Sequence, residues 1–389
     1  MTKRAGRTFA SVLDDIEKTL EGQRVVVVGG GVFGSMHALF ALLRGADVVH
    51  LERDLVPSGA TVRNFGLIWV SGRAVGRELT LALRARELWE AIAHRAPDIG
   101  FRANGSITLL NNVRELEVAE KALLRADADS RQFELLNHDE VRERNPGLDG
   151  VFLHGLYCGR DAAVESRAAL GALRVLMAET GRYEYVPGRE LVGIDDHEVI
   201  DHRGVHHGGD QIALCLGAYV SGFAAELFDD EPLRTVRLNM AETEPLRRAL
   251  TTSVADGDSF RYYPGFSGYA KDLLDDQDPV AAQFAIQLLC QQRLHGGLTI
   301  GDTHEPDVPG LFETVDRPMD LIEMAARQAI GSDLPRIERR WSGVYHQLVN
   351  PAPDEVYFRK VVASGVSAIT GAGGRGMTLA PAIAEESFQ

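Results

Sequence analysis

Gly29, Gly31 and Gly34 stand in the spacing G-x-G-x-x-G within RVVVVGGGVFGSMHALFALLRGADVVHLE, residues 24–52, and Glu52 closes the stretch. That pattern suits a dinucleotide pyrophosphate. Gly29 makes a tight turn, Gly31 lets phosphates approach the backbone and a helix N-terminus, and Gly34 lets the helix pack on the preceding strand. Glu52 can accept hydrogen bonds from a ribose 2′-hydroxyl, and an acid there argues against NADP. A second glycine cluster, TGAGGRGMTLAP at residues 370–381, reads as a loop entering a helix.

The elements that must position these residues follow from periodicity. The valines before Gly29 predict a buried parallel strand. An apolar helix is expected from about Ser35 to Arg44, with Gly45 as its C-cap, and ADVVHLE as the next strand. Upstream, SVLDDIEKTLEG (11–22) reads as a short amphipathic helix capped by Ser11, with Leu13, Ile16 and Leu20 on its apolar face. Further helices are expected at 78–96, 113–128 and 165–181, and strands at 101–112, 182–195 and 211–222. RYYPGFSGYAKDLLDD places Arg261, Tyr262 and Tyr263 on a strand, where only one tyrosine can face a pocket. PVAAQFAIQLLCQQRL reads as a helix entered by Pro279, which either packs on a sheet or covers the site.

Bulk properties narrow the function. A chain of 389 residues suits two or three structural domains. A net charge of −15 speaks against a nucleic-acid partner. No apolar run approaches the roughly 18 residues of a membrane helix, and the start of the chain lacks the apolar core of a secretory signal. Cys158, Cys215 and Cys290 are widely spaced, which favours a reducing, cytoplasmic location over a disulfide framework or a structural zinc. Cys215 sits in an apolar run and is expected to be buried. His206 and His207 lie in a turn-like HRGVHHGGD without a second ligand cluster, so no metal is expected.

PSGATVRNFGLIWVSG (57–72), QIALCLGAYVSG (211–222) and TGAGGRGMTLAPAIAEE (370–386) follow the first motif in order. Together these segments resemble the D-amino-acid oxidase, glycine oxidase and sarcosine oxidase superfamily of FAD enzymes, over nearly the whole chain. The resemblance implies an α/β fold, with a Rossmann-like FAD-binding domain (1–85, 146–222 and 331–389) and an interleaved α+β, mixed-sheet substrate domain (86–145 and 223–330). It implies non-covalent FAD, held at its nucleotide end by Gly29, Gly31, Val32, Phe33, Gly34, Glu52 and Arg53. Leu191, Leu216 and Gly217 belong to the same end, with Leu191 near the adenine. Thr61, Arg63, Asn64, Phe65 and Gly66 approach the flavin. Gly373, Gly374, Arg375, Gly376, Met377 and Thr378 face its ring, where N–H groups and a helix dipole stabilise negative charge. Some sarcosine-oxidase relatives attach FAD through a cysteine near WSGVYHQ; here no cysteine lies beyond Cys290.

RNFGLIWVSG, GGLTIGDTHE (296–305) and RWSGVY (340–345) look like a narrower subgroup proposed to oxidise aminophosphonates. The implied reaction is hydride transfer from an amine-bearing carbon to flavin N5, followed by imine hydrolysis. It needs no protein nucleophile, and no catalytic residue is assigned. Many glycine-oxidase relatives carry an Arg-Pro after the tryptophan-glycine segment. Here the place reads GVYHQLVN, so the anion anchor must lie elsewhere. Candidate substrate contacts are Arg261 with Tyr262 and Tyr263, His304, Tyr345, His346 and Arg375. Alternative readings are a D-amino-acid, glycine or sarcosine oxidase, a flavin 2-hydroxyacid dehydrogenase, and a non-catalytic FAD-binding subunit.

Overall fold

The structure is a computed structural model that describes residues 12–218, 222–308, 315–331 and 334–388. Strand β1 (Arg24–Val28) takes the valine run into the middle of a sheet, with Val25, Val26 and Val27 fully buried. β1 pairs in parallel with β2 (Asp47–Glu52) on one side and with Gln211–Leu214 on the other. Tyr183–Pro187 extends the sheet beyond β2. Val366–Thr370 and then Phe358–Ala363 extend the opposite edge, and of the six strands only that outer pair is antiparallel.

Helix α1 (Val32–Leu43) connects β1 to β2 and begins directly after the glycine turn, ahead of the expected Ser35. It is apolar nearly all round because it is packed nearly all round. Met36, Phe40 and Ala41 share one core with Trp89 of the helix Arg77–Arg95 and with Leu379 and Ile383 of the helix Gly376–Ser387. Leu13 and Leu20 join that core, but residues 13–22 run as turns and bends rather than as an α-helix. The segment is too short to nucleate a helix easily, and its backbone bonds outward, Leu20 N–H donating to the Arg44 carbonyl. Ser11 lies outside the described residues.

A second, nine-stranded sheet is mixed, in the order Glu305–Pro306, Leu233–Pro245, Gly297–Gly301, Leu289–Gln292, Ser253–Asp256, Ser106–Leu110, His154–Cys158 and Phe133–Asn137. Ile337–Leu348 pairs antiparallel along Leu233–Pro245. A division of the chain drawn on the two sheets, which we offer as a proposal, would move 154–158 and 337–348 into the substrate part, away from the segments expected to bind the nucleotide.

Two expected elements take a different form. Only Pro279–Gln283 of the segment 279–294 is helical, with Asp278 capping Val280 and Ala281. Leu289–Gln292 is an inner strand between Ser253–Asp256 and Gly297–Gly301, with Leu288, Leu289 and Cys290 buried. A short apolar run has no period that separates a buried strand from a buried helix. Ser259–Tyr262 is a helical turn instead of a strand, and Tyr263 leads into a second short helix, Pro264–Ala270, started by its proline. Strand alternation therefore does not apply to Tyr262 and Tyr263.

Candidate functional site

A cavity of about 920 Å³ runs from the carboxyl ends of β1 and β2 to the inner face of the second sheet. At its first end the glycine spacing is enforced by backbone contact. Gly29 has φ of +111°, and a Cβ there would lie 2.2 Å from the Cys215 carbonyl oxygen. A Cβ on Gly34 would lie 1.8 Å from the Gly29 oxygen. Gly31 opens onto the cavity, where a Cβ would meet only Thr61 Oγ1 at 3.2 Å. That hydroxyl accepts from Val32 N–H at 2.9 Å.

Glu52 ends β2 on the cavity wall. Its Oε2 accepts from Gly30 N–H at 2.5 Å and its Oε1 from Asp54 N–H at 2.8 Å. Burial raises the Glu52 pKa, and the two backbone bonds act against that rise. Phe33, Arg53, Arg63, Asn64, Phe65, Leu216 and Gly217 also line the cavity. Arg53 pairs with Asp54 at 3.0 Å, and Arg63 spans to the Ser58 and Ser342 carbonyls at 2.6 and 2.9 Å. Four residues expected at the cofactor lie behind this wall. Gly34 packs against the glycine turn, Gly66 against the Val164 carbonyl, and Thr378 Oγ1 accepts from Trp69 N–H at 2.9 Å. Leu191 borders a small adjoining hollow of about 30 Å³ with Leu216 and Arg189.

At the other end the turn Gly373–Arg375 leads into the helix Gly376–Ser387, which has no side-chain N-cap. Gly373, Gly374, Arg375, Gly376 and Met377 are on the wall. Arg375 donates to the Ala372 carbonyl at 2.9 Å and lies 3.4 Å from Glu78. Arg73 lies 3.5 Å from the same carboxylate, donates to the Trp69 carbonyl at 2.6 Å, and sits 5.6 Å from the centre of the Tyr263 ring. The turn that carries Arg73 is clamped from below. Fully buried Arg131 donates to the carbonyls of Val70, Ser71 and Arg73, while Asp161 accepts from Val70 and Ser71 N–H.

Tyr262, Tyr263, His304, Tyr345 and His346 all reach this cavity. The Tyr262 and Tyr345 hydroxyls are 3.3 Å apart, and the Tyr262 ring stacks on His304 with centroids 3.8 Å apart. Burial pushes Tyr262 up to about 12 and brings His304 and His346 down to about 4, so the phenol stays protonated and the imidazoles neutral near pH 7. Arg261 is not on the wall. It pairs with Asp258 at 2.7 Å and donates to the Asp275 carbonyl. His206 and His207 lie on the strand His206–Gly208 and pair with Glu198 and Asp201. Among the described residues no group of three or more His, Cys, Asp or Glu could hold a metal, and no helix is long and apolar enough to cross a membrane.

Sequence reasoning did not single out Arg73, Trp69, Gln287 or Asp302, all on the cavity wall. Arg73 carried a usable signal, since WVSGRAVG flanks it with glycines as the C-terminal loop flanks Arg375. Asp302 carried none, because its burial depends on sheet packing.

The profile of the family described as DAO, FAD dependent oxidoreductase, matches residues 24–388. An opine oxidase subunit of Rhizobium meliloti is 26% identical over 168 residues, 40% of this chain and 45% of that protein. The subunit of the same name from Agrobacterium tumefaciens (strain Ach5) is 25% identical over 188 residues, 44% of this chain and 49% of that one. The chain thus spans about half the length of the curated relatives it matches. Among solved structures, glycine oxidase from Bacillus cereus ATCC 14579 superposes with a TM-score of 0.74 at 19% identity, covering 94% of each chain. L-proline dehydrogenase from P. horikoshii gives 0.72 at 18% identity, covering 94% of this chain and 91% of the other. At these identities the structural likeness establishes the fold, and the profile match over residues 24–388 establishes the lineage: the chain belongs to the DAO family of FAD dependent oxidoreductases.

Proposed function

We propose that the chain oxidises a small amine with an anionic end, and that its preferred substrates are aminophosphonates such as 2-aminoethylphosphonate or a hydroxylated or N-methylated relative. The carrying observation is the pair Arg73 and Arg375, two guanidiniums on the cavity wall that share the single carboxylate of Glu78. One carboxylate cannot neutralise both, so the pair retains net positive charge. A phosphonate, with up to two charges and three acceptor oxygens, makes fuller use of two planar forks than a carboxylate does.

The residues present fit FAD. Gly31 leaves room where a side chain would stand, and α1 offers its positive end there. Glu52 presents a carboxylate at the end of β2, where a ribose would lie. We assign the pyrophosphate to Gly31, Val32 and Phe33, the adenine end to Leu191, Leu216 and Gly217, and the ring to the segment from Gly373 to Met377 with Thr61, Arg63, Asn64 and Phe65. FAD, when bound, supplies the hydride acceptor. Burial pushes the Cys215 thiol up, which keeps it protonated beside the cavity and supports non-covalent attachment.

The chain's own part is binding and orientation. Arg73 and Arg375 fix the anion. The protonated Tyr262 and Tyr345 hydroxyls can donate to its remaining oxygens. Neutral His304 and Tyr263 wall off water around the reacting carbon. Comparing kcat/KM for 2-aminoethylphosphonate, glycine, sarcosine and D-alanine tests the reading. Phosphonates should lead. Faster turnover of D-alanine or sarcosine than of every aminophosphonate tried would replace it with an amino-acid oxidase.

A further inference from the structure

Asp302 and Gln287 form a polar corner of the cavity that the anion-binding and ring-facing residues do not use. Both side chains line the cavity and are almost fully buried. Asp302 N–H donates to the Gln287 carbonyl at 2.9 Å, which locks the two together at the ends of the strands Leu289–Gln292 and Gly297–Gly301. The only hydrogen bond to the carboxyl from a neighbouring side chain, among the described residues, is a long one from Gln287 Nε2 at 3.5 Å. Gln287 Oε1 is buried and no donor among the described residues reaches it.

Among the described residues, the titratable side chains recorded against this corner are an imidazole and three phenols. His304 Nε2 lies 3.8 Å from Asp302, but that imidazole is neutral near pH 7. Tyr262 and Tyr263 approach from the helical turn, with Tyr263 bonded to the Gln287 side chain, and Tyr345 approaches from the strand Ile337–Leu348. Arg73 and Arg375 are directed at Glu78, and neither is paired with Asp302 among the described residues. Once ionised, this buried carboxyl has no cation, and the buried carbonyl beside it has no donor; a ligand can complete both. The missing partner is a group with positive charge and N–H donors, enclosed by aromatic faces that also favour a cation.

We propose that Asp302 and Gln287 hold the substrate's ammonium, and that Asp302 then takes one of its protons. This rests on the amine reading of the cavity and deepens it: the substrate is a zwitterion, with its anion at Arg73 and Arg375 and its nitrogen at Asp302. In the transfer an N–H bond breaks, an O–H bond forms on Asp302, and the nitrogen keeps the electron pair as its lone pair. The proton leaves to water after product release.

Two inert probes test it on the FAD-loaded protein, followed through perturbation of the flavin spectrum. Glycine betaine carries a permanent cation and can form no lone pair; 3,3-dimethylbutanoate is its uncharged-nitrogen counterpart, with carbon in place of nitrogen. Burial holds Asp302 at about 8, so betaine affinity should fall by about tenfold for each unit that pH drops below that point, while the carbon analogue stays flat. Asp302→Asn should abolish the slope, and at about pH 8.5 weaken betaine by about tenfold or more with the analogue unchanged. Asp302→Glu should restore part of the slope, which separates a charge role from a packing role. Equal affinity for both probes, or a slope that survives Asp302→Asn, overturns this inference alone. Failure of both probes to perturb the flavin overturns the zwitterion site together with the amine reading beneath it.

Discussion

Arg73 and Arg375 share one carboxylate, and in the proposed function that shortage leaves them able to bind an anion. Replacing either by alanine should raise KM sharply. The cost is about 2–5 kcal/mol where the lost partner leaves a buried charge unpaired, and kcat falls too if the anchor aligns the C–H bond. The flavin spectrum should persist, and an unchanged KM in both variants would remove them as anchors. Glu52 is the proposed ribose contact at the other end. Glu52→Ala should weaken FAD by about 1.5–3 kcal/mol, measured by titrating the apoprotein; unchanged affinity would place the ribose elsewhere. Asp302 also predicts a stability effect. Its native pKa of about 8 lies above the unfolded value of about 4. Between those values the native state binds the extra proton, so its stabilising contribution is whole below about pH 4 and is lost as pH rises through about 8. Asp302→Asn should therefore gain in Tm relative to the parent between about pH 5 and about pH 8.5. A variant that instead loses Tm relative to the parent as pH rises over that range would contradict the buried carboxyl.

The glycine turn between β1 and α1 was legible because three residues each answer a separate steric demand. Gly34→Ala should block soluble folding, since its Cβ would meet the Gly29 carbonyl backbone, which cannot yield as a flexible side chain can. A stable, FAD-binding Gly34→Ala protein would contradict this packing. The substrate side was less legible. Leu289–Gln292 looked helical because an inner strand and a buried helix share the same apolar run. Tyr262 and Tyr263 looked like a strand pair because nothing local announces a single helical turn before Pro264. Arg261 looked like an anchor by residue type, yet Asp258 one turn earlier captures it. The clamp of Arg131 and Asp161 on residues 70–73 joins side chains distant in sequence, and no local pattern could announce it.

At the scale of the molecule, the cavity lies between the two sheets, so a ligand that fills it should tie them together. FAD binding only the native state should raise Tm as its free concentration rises, by about 2.7 kcal/mol of stability at a hundredfold excess over Kd. Acid should release it intact, and yellow colour retained in the acid precipitate would contradict non-covalent binding. The proposed function requires one event, transfer of electrons from a small anionic amine into the bound flavin. Anaerobic mixing of the FAD-loaded protein with 2-aminoethylphosphonate, watched at the long-wavelength flavin band, reads that event without any assumption about the electron acceptor. The account predicts full bleaching, with one equivalent of carbonyl product per flavin and slower bleaching by sarcosine and D-alanine. A flavin that stays yellow with every amine and aminophosphonate supplied would contradict it.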